Sequence, residues 1–427
     1  MAKFYTIDPN TCSMEELEAA IRECKGQEDY FHNMEQSCKR FINSQYGALA
    51  NKYYNCSNVD IAESITLQGQ DLIKYSVRVV NAYFTNQWCG DIDAHRRIAN
   101  YMLKKFPDFD VNDFMQRAVQ PFSFGETQTL QIYGDTDSAY ITLQSLIEAC
   151  GISADKETDF VLAVNNEVLA DYLEKMFDQY AVDFNCKKNL EKFELEKIAR
   201  TVIMLAKKKY IMDLSWKEPD IHVQPLHKIV YKGIEVIQGS IPGFCRDCMK
   251  DFIKYMLGYL NRSELPTYAG IVKKLKEIKS KFVMQSPNEI CKGFSMKDYD
   301  KYIRHDADYI EYQSNPETGK QIVVPIHVRA AAIYNYTLNT HATKYKTKYN
   351  TIKKGDKVKF YYTTDKNEKG DPEVFGFMPD EFPAEFAPKM DFDEQFKKMI
   401  MDPLNRIITT AGFEEVPYTL TYSAGLW

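Results

Sequence analysis

Apolar residues recur at helical spacing through much of the N-terminal third of the chain. Leu17, Ala20 and Ile21 form a stripe, and Ser13 followed three residues later by Glu16 has the spacing of a capping box, so a helix is expected to begin there. Residues 13–54 read as helical, with a second helical run over Asn33–Lys52. A third run covers Val59 to about Phe84, where Ile61, Ile65, Leu72, Ile73, Val77 and Val80 keep the period. The mixed stretch Asp91–Gln128 holds Pro107, Pro121 and Gly125 and is expected to be a loop-rich insertion. At Leu130–Leu143 the period shortens to two and Tyr, Ile and Thr dominate, which predicts a strand pair with a tight centre. An amphipathic helix is expected over Phe160–Asp183. Two strand-like runs follow within Phe193–Asp213, at Glu194–Glu196 and Thr201–Ala206.

A length of 427 residues is enough for two or three domains, and 44% hydrophobic with 27% charged residues is ordinary for a folded protein with a sizeable core. The 54 basic and 60 acidic side chains sum to a net charge of −6, which argues against a uniformly basic nucleic-acid coat. The charge is unevenly spread. Lys273, Lys274, Lys276, Lys279 and Lys281 share one helical stretch, seven lysines lie between Lys344 and Lys359, and the sign reverses from Asp371 to Glu394. The Lys/Tyr alternation over Lys344–Tyr349 could track a DNA backbone. No run of 18 apolar residues occurs, so no membrane span is expected, and the N-terminus has no apolar signal region. Ten scattered cysteines without a framework spacing fit reduced thiols and a cytoplasmic location.

The chemistry concentrates at Tyr133-Gly134-Asp135-Thr136-Asp137-Ser138. Residues i and i+2 of an extended segment point the same way, so Asp135 and Asp137 are expected to present two carboxylates on one face. Gly134 is expected to permit an unusual backbone at the turn. Two hard oxygen ligands on a hairpin suit Mg²⁺, which takes one or two carboxylates and keeps waters and substrate phosphates. An ordinary acidic turn would share that spacing. Upstream, Lys39, Asn43 and Tyr46 lie at i, i+4 and i+7, within roughly 60° of arc on a helix. One face there offers a cation, an amide and an aromatic ring beside Gly47. Cys245 and Cys248, with His222 and His227 upstream, are residue types that suit zinc, but the order is inverted from the usual finger.

Two of these strings resemble family B DNA polymerases. Tyr-Gly-Asp-Thr-Asp-Ser is similar to the family's palm motif, and Lys39 to Gly47 is similar to its fingers motif, Lys, three residues, Asn-Ser, one residue, Tyr-Gly. Lys207-Lys208-Lys209-Tyr210 resembles the basic-Tyr motif of the palm strand that grips the primer. Its alternation is expected to set Lys208 and Tyr210 on one face and Lys207 and Lys209 on the other. Weaker likenesses run from Ile234 to Pro242 and from Pro325 to Ala330, the latter to the tailed-phage replicative branch.

The resemblance implies an α+β right-hand fold: an antiparallel palm sheet, a helical fingers segment and a mostly helical thumb. It divides the chain into fingers at 1–52, palm at 53–231, thumb at 232–418 and a clamp-binding tail at 419–427. It implies two Mg²⁺ ions on Asp135 and Asp137, and nucleotide contacts from Lys39, Asn43, Tyr46, Gly47 and Thr136, with Lys39 meeting the triphosphate. DNA contacts would come from Gly134, Lys207, Lys208, Lys209 and Tyr210. Tyr422, Leu426 and Trp427 would meet a sliding clamp. The implied reaction adds dNTPs to a primer 3′ end on a template, in the cytoplasm of an infected bacterium if the source is a phage.

One departure stands out. The family's third catalytic carboxylate belongs to a Ser-Leu-Tyr-Pro-Ser-like motif ahead of the fingers, which also carries the Tyr that excludes ribonucleotides. Neither that string nor the exonuclease motifs occur here, and only 38 residues precede Lys39. The expectation is therefore one half of a split polymerase, inactive without a partner chain bearing the exonuclease and the first palm motif. The alternative is a non-catalytic DNA-binding and clamp-tethering subunit, against which intact Asp135, Asp137 and Lys39 weigh. Reverse transcriptase and RNA polymerase palms place two Asp side by side, whereas Thr136 separates them here.

Overall fold

Ser13 starts the first helix as its spacing predicts. Its Oγ accepts from Glu16 N at 3.3 Å, and Glu16 Oε2 accepts from Ser13 N at 2.9 Å, so both halves of the capping box are closed. Helix α1 (Met14–Ala50) then runs unbroken for 37 residues, merging the two helical runs expected before Lys52. Its interior Gly26 and Gly47 each weaken a helix by roughly 1 kcal/mol against Ala but remove no hydrogen bond. Asn58 caps α2 (Val59–Asn86) by accepting from Ile61 N at 3.0 Å.

The computed structural model describes residues 11–123, 129–135, 138–218, 221–222, 228–258, 265–315, 317–320, 322–366 and 372–421. The chain divides into two compact units, Met1–Glu194 and Leu195–Trp427. In the first unit the expected loop-rich insertion is corrected. Its described part holds α3 (Ile92–Lys105) and α4 (Val111–Ala118). Asp91 and Asp110 cap them, accepting from Ala94 N at 3.0 Å and Asp113 N at 2.9 Å, and Pro107 falls in the connection. The prolines mark helix ends there, not a loop, and the helical faces are interrupted by outward Arg96, Arg97, Lys104 and Lys105.

The expected strand pair forms as β1 (Gln131–Asp135) and β2 (Ser138–Ile141), antiparallel. After it come α5 (Gln144–Ala149), α6 (Glu157–Val164) and α7 (Ala170–Asp183). The single helix expected over Phe160–Asp183 is interrupted by a π-turn at Asn165–Leu169. Arg97 Nε and Nη2 both donate to Glu167 O there, at 3.0 and 2.9 Å. Trp88, Tyr83, Phe84, Ile98, Phe114 and Phe160 form the apolar core of this unit.

In the second unit β3 (Lys197–Ala206), β4 (Lys209–Lys217), β5 (Ile221–His222) and β6 (Lys228–Lys232) form one antiparallel sheet in which β4 pairs with all three others. Glu194–Glu196, expected as strand, precedes β3 and is irregular. Next come α8 (Gly243–Met256), α9 (Tyr268–Phe282), α10 (Pro287–Ile290), β7 (Lys292–Ser295) and α11 (Tyr299–Tyr302). The hairpin of β8 (Ile303–His305) and β9 (Glu311–Tyr312) leads to α12 (Ile326–Thr340). Strands β10 (Lys357–Lys366) and β11 (Pro372–Phe377) join β7 in the order β11–β10–β7, before α13 (Phe392–Phe396) and α14 (Asp402–Thr410).

Gly376 lets α12 approach the sheet closely, since a Cβ there would lie 2.8 Å from Ala330 O. Of the α9 lysines, Lys279 is buried: it pairs with Asp393 and lies 5.7 Å over the Phe396 ring, whereas Lys273, Lys276 and Lys281 are exposed.

Candidate active site

Helix α1 presents Lys39, Asn43 and Tyr46 on one exposed face. Lys39 Nζ lies 2.7 Å from Glu35 Oε1, one turn back, and its hydrogen bond, then its charge, hold the Glu35 carboxyl below the usual range. Tyr46 is positioned from outside the helix: its hydroxyl and Thr66 Oγ1 of α2 are 2.8 Å apart. A Cβ at Gly47 would meet nothing within 4 Å, so the space beside Tyr46 is open.

The hairpin is anchored on the same helix. Asn81 of α2 donates to Thr129 Oγ1 and accepts from Leu130 N, both at 3.0 Å, while Thr142 N donates to Leu130 O at 2.8 Å. The backbone of β1 is thereby fixed at its base, with Leu130, Leu143 and Leu146 buried beneath it. At the other end Asp135 is in register with Ser138, whose Oγ donates to Asp135 O at 3.1 Å. Thr136 and Asp137 lie outside the described residues.

Gly134 does not take the unusual backbone expected of it. It sits within β1 opposite Ala139 and has no positive φ. What its missing side chain provides is space, because a Cβ would lie 2.9 Å from Gln131 Nε2.

The basic-Tyr segment also differs from the expected alternating strand. Ala206 pairs with Lys209, and Lys207-Lys208 form the two-residue turn between β3 and β4, with Lys208 at φ +60°. A left-handed residue breaks the period-two alternation, so facing cannot be read off the spacing. Lys207, Lys208 and Lys209 are exposed, and Tyr210 is half-buried in β4 between Met204 and Lys232. Gly233, itself at φ +64°, packs on this turn, where a Cβ would come within 2.3 Å of Lys208 O.

The α1 face and the hairpin therefore share one unit and one supporting helix. Their anchors, Thr66 and Asn81, are 15 residues apart on α2, about 22 Å along its axis. The Lys207–Tyr210 turn belongs to the second unit. Sequence patterning missed Thr66, Asn81 and Gly233, whose signal is a contact distant in the chain. Tyr422, Leu426 and Trp427 lie outside the described residues, as does His227.

Burial pushes the Cys245 and Cys248 thiols up, to about 12 and about 11, against the thiolate that zinc needs. Among the described residues no cluster of three His, Cys, Asp or Glu side chains could hold a metal ion. No helix among them is long and apolar enough to cross a membrane. A cavity of about 520 Å³ in the second unit, rimmed by the Arg406–Glu235 pair at 2.6 Å, is lined by none of Lys39, Asn43, Tyr46, Asp135 or Lys207–Tyr210.

The sequence model of DNA polymerase family B matches residues 15–407. The chain is 23% identical over 414 residues to a DNA-directed DNA polymerase of Enterobacteria phage T4, covering 93% of this chain and 39% of that protein. It is 25% identical over 231 residues to a DNA-directed DNA polymerase of Escherichia phage RB69, covering 51% of this chain and 22% of that protein. The chain thus spans about two fifths of the length of the T4 relative.

Proposed function

The chain belongs to DNA polymerase family B, and from that premise we propose that it supplies the end of the fingers, the palm and the thumb of a split DNA-directed DNA polymerase. The proposed fold is a right hand, with fingers at 1–52, palm at 53–231, thumb at 232–418 and a clamp-binding tail at 419–427. The observation that carries the reading is that α2 anchors both the Lys39–Asn43–Tyr46 face and the Asp135 hairpin within one unit.

The reaction proposed is attack of the primer 3′-oxygen on the α-phosphorus of a template-paired dNTP, with pyrophosphate leaving. Lys39 would stabilise charge on the triphosphate, with Asn43 beside it. Tyr46, held by Thr66, and Gly47 would line the nascent base pair, next to Thr136. Gly134 and the Lys207–Tyr210 turn would hold the primer strand through its phosphates.

Asp135 ends a strand whose base is fixed, and its hard carboxylate oxygens suit Mg²⁺ as do those of Asp137. Two magnesium ions there would supply charge stabilisation at the phosphate oxygens. A partner polypeptide bearing the third carboxylate and the exonuclease would complete the site. Tyr422, Leu426 and Trp427 would tether it to a sliding clamp, in the cytoplasm of an infected bacterium.

Primer extension tests this. The chain alone should be inactive, adding the partner should give Mg²⁺-dependent incorporation, and EDTA should abolish it. Asp137→Asn in the reconstituted pair should lower the rate by at least ~10³-fold. Extension at the wild-type rate by that variant would refute the assignment.

A further inference from the structure

The cavity of about 520 Å³ in the second unit has the volume of a small-molecule site. Three cations, Lys292, Lys398 and Arg406, and three carboxylates, Glu235, Asp402 and Glu415, line it. It therefore has no net charge with which to draw in a simple anion or cation.

Four of the six are matched with one another. Arg406 lies 2.6 Å from Glu235, and Lys398 lies 3.3 Å from Asp402. Lys292 and Glu415 are left over. Among the described residues Lys292 has no carboxylate partner, and its Nζ lies 5.4 Å over the Phe294 ring. Glu415 has no cationic partner among them, and its carboxylate accepts from a neutral amide, Asn405 Nδ2, at 3.3 Å. Asn405 is itself buried and locked to Val416, donating to its O and accepting from its N at 3.1 Å each, so that part of the rim is fixed.

A helical irregularity adds an acceptor. Between α13 and α14 the chain makes a π-turn at Lys397–Met401, with Asp402 N donating to Lys397 O. Pro403 has no N–H, so the carbonyl of Lys398 receives no helical donor at the α or the π spacing. Turns of this kind are frequent at functional sites. Ile241, Met399 and Pro403, all buried, give the cavity an apolar wall.

We propose that this cavity binds a small zwitterion with an apolar body, the chemistry of a free apolar amino acid or of a dipeptide with free ends. Its carboxylate meets Lys292, its ammonium meets Glu415, and the Lys398 carbonyl takes a further N–H. Its apolar side chain covers Ile241, Met399 and Pro403. Both leftover charges then gain an opposite partner. The site shares no residue with the Lys39 face, the Asp135 hairpin or the Lys207–Tyr210 turn, so it stands or falls apart from the polymerase reading.

Isothermal titration of the full chain with leucine and with leucyl-leucine tests this. At least one should bind saturably at 1:1 and raise the melting temperature, and the tighter of the two tells amino acid from dipeptide. The N-acetyl form of that ligand, which lacks the ammonium, and its amide, which lacks the carboxylate, should each bind about tenfold more weakly. Lys292→Gln and Glu415→Gln should each cost about as much. Thr409→Trp, which fills the cavity from an exposed wall position, should abolish binding, whereas Lys276→Gln, on α9 outside the cavity, should leave it unchanged. Neither Lys292 nor Glu415 has an ion-pair partner to lose among the described residues, so urea midpoints of their variants without ligand should stay close to wild type. Three results would each overturn the proposal: binding that neither Lys292→Gln nor Glu415→Gln weakens, equal affinity for the acetylated or amidated form, or no binding of either compound by titration and melting.

Discussion

Helix α1 and the helices α2–α7 belong to one compact unit, yet they put their residues to opposite uses. The helices around Trp88 bury His95, Ile98, Phe114 and Phe160 almost completely, whereas α1 buries nothing. Lys39, Asn43 and Tyr46, proposed to meet the nucleotide, are on the second kind of element. Elements whose side chains hold the fold together have little freedom to meet a ligand, and an element with no buried side chain has that freedom. The contrast predicts that stability and activity separate along the chain.

The largest effect should come from the buried side. Phe114 is 2% exposed and packs against Phe109, Phe160 and His95 with ring centroids 5.7, 6.0 and 6.3 Å away. Phe114→Ala should cost about 3–5 kcal/mol, read as a lowered urea midpoint. A midpoint equal to wild type would mean that this core is not what stabilises the unit.

On the other side of the comparison, Lys39→Ala should leave that midpoint unchanged, because Lys39 and the Glu35 it pairs with are both exposed. In the reconstituted enzyme the same change should slow nucleotide addition by about 10²–10³-fold, the usual loss for one charge-stabilising donor. Equal loss of stability and activity would erase the distinction drawn here.

A third prediction uses pH. His95 is fully buried between Trp88 and Phe114, and neither ring nitrogen has a hydrogen-bond partner. Burial lowers its tendency to protonate, with the charge of Asp91 pulling more weakly the other way. The folded state therefore binds the proton less readily than the unfolded chain, whose histidine titrates near 6.5. Stability from this site is complete above that pH and is lost as pH falls below it, by at most about 1.4 kcal/mol per pH unit. Urea midpoints at pH 7.5 and 5.5 should differ accordingly, and His95→Leu should remove that part of the difference.

The same contrast explains what was legible from the residues. The capping box at Ser13, the strand pair around Asp135 and the exposed face of Lys39 are local, set by neighbours within a few positions. The helices within Asp91–Gln128 were hidden because charged residues interrupt their apolar faces and prolines at their ends look like loop signals. Thr66 and Asn81 could not be found from α1 or the hairpin, since each acts across a gap of 20 residues or more. The facing of Lys207–Tyr210 failed for a related reason: Gly233 helps shape that turn from 25 positions downstream.

Lys208 gives the smallest and sharpest test, because there the two uses meet in one residue. A non-glycine side chain at φ +60° costs roughly 1–2 kcal/mol against the relaxed backbone. The structure retains a lysine there although glycine would relieve the strain. If the lysine is kept for a phosphate, Lys208→Gly should raise the urea midpoint by the equivalent of about 1 kcal/mol while lowering affinity for primer–template DNA. It should also reduce the slope of log affinity against log salt by about one. Gly233→Ala should do the reverse to the fold, forcing Lys208 O away and destabilising the second unit with the lysine intact. A Lys208→Gly protein that gains stability and binds DNA with an unchanged salt slope would show that the strain serves the turn alone, and the exposed lysine would join the elements that hold the fold.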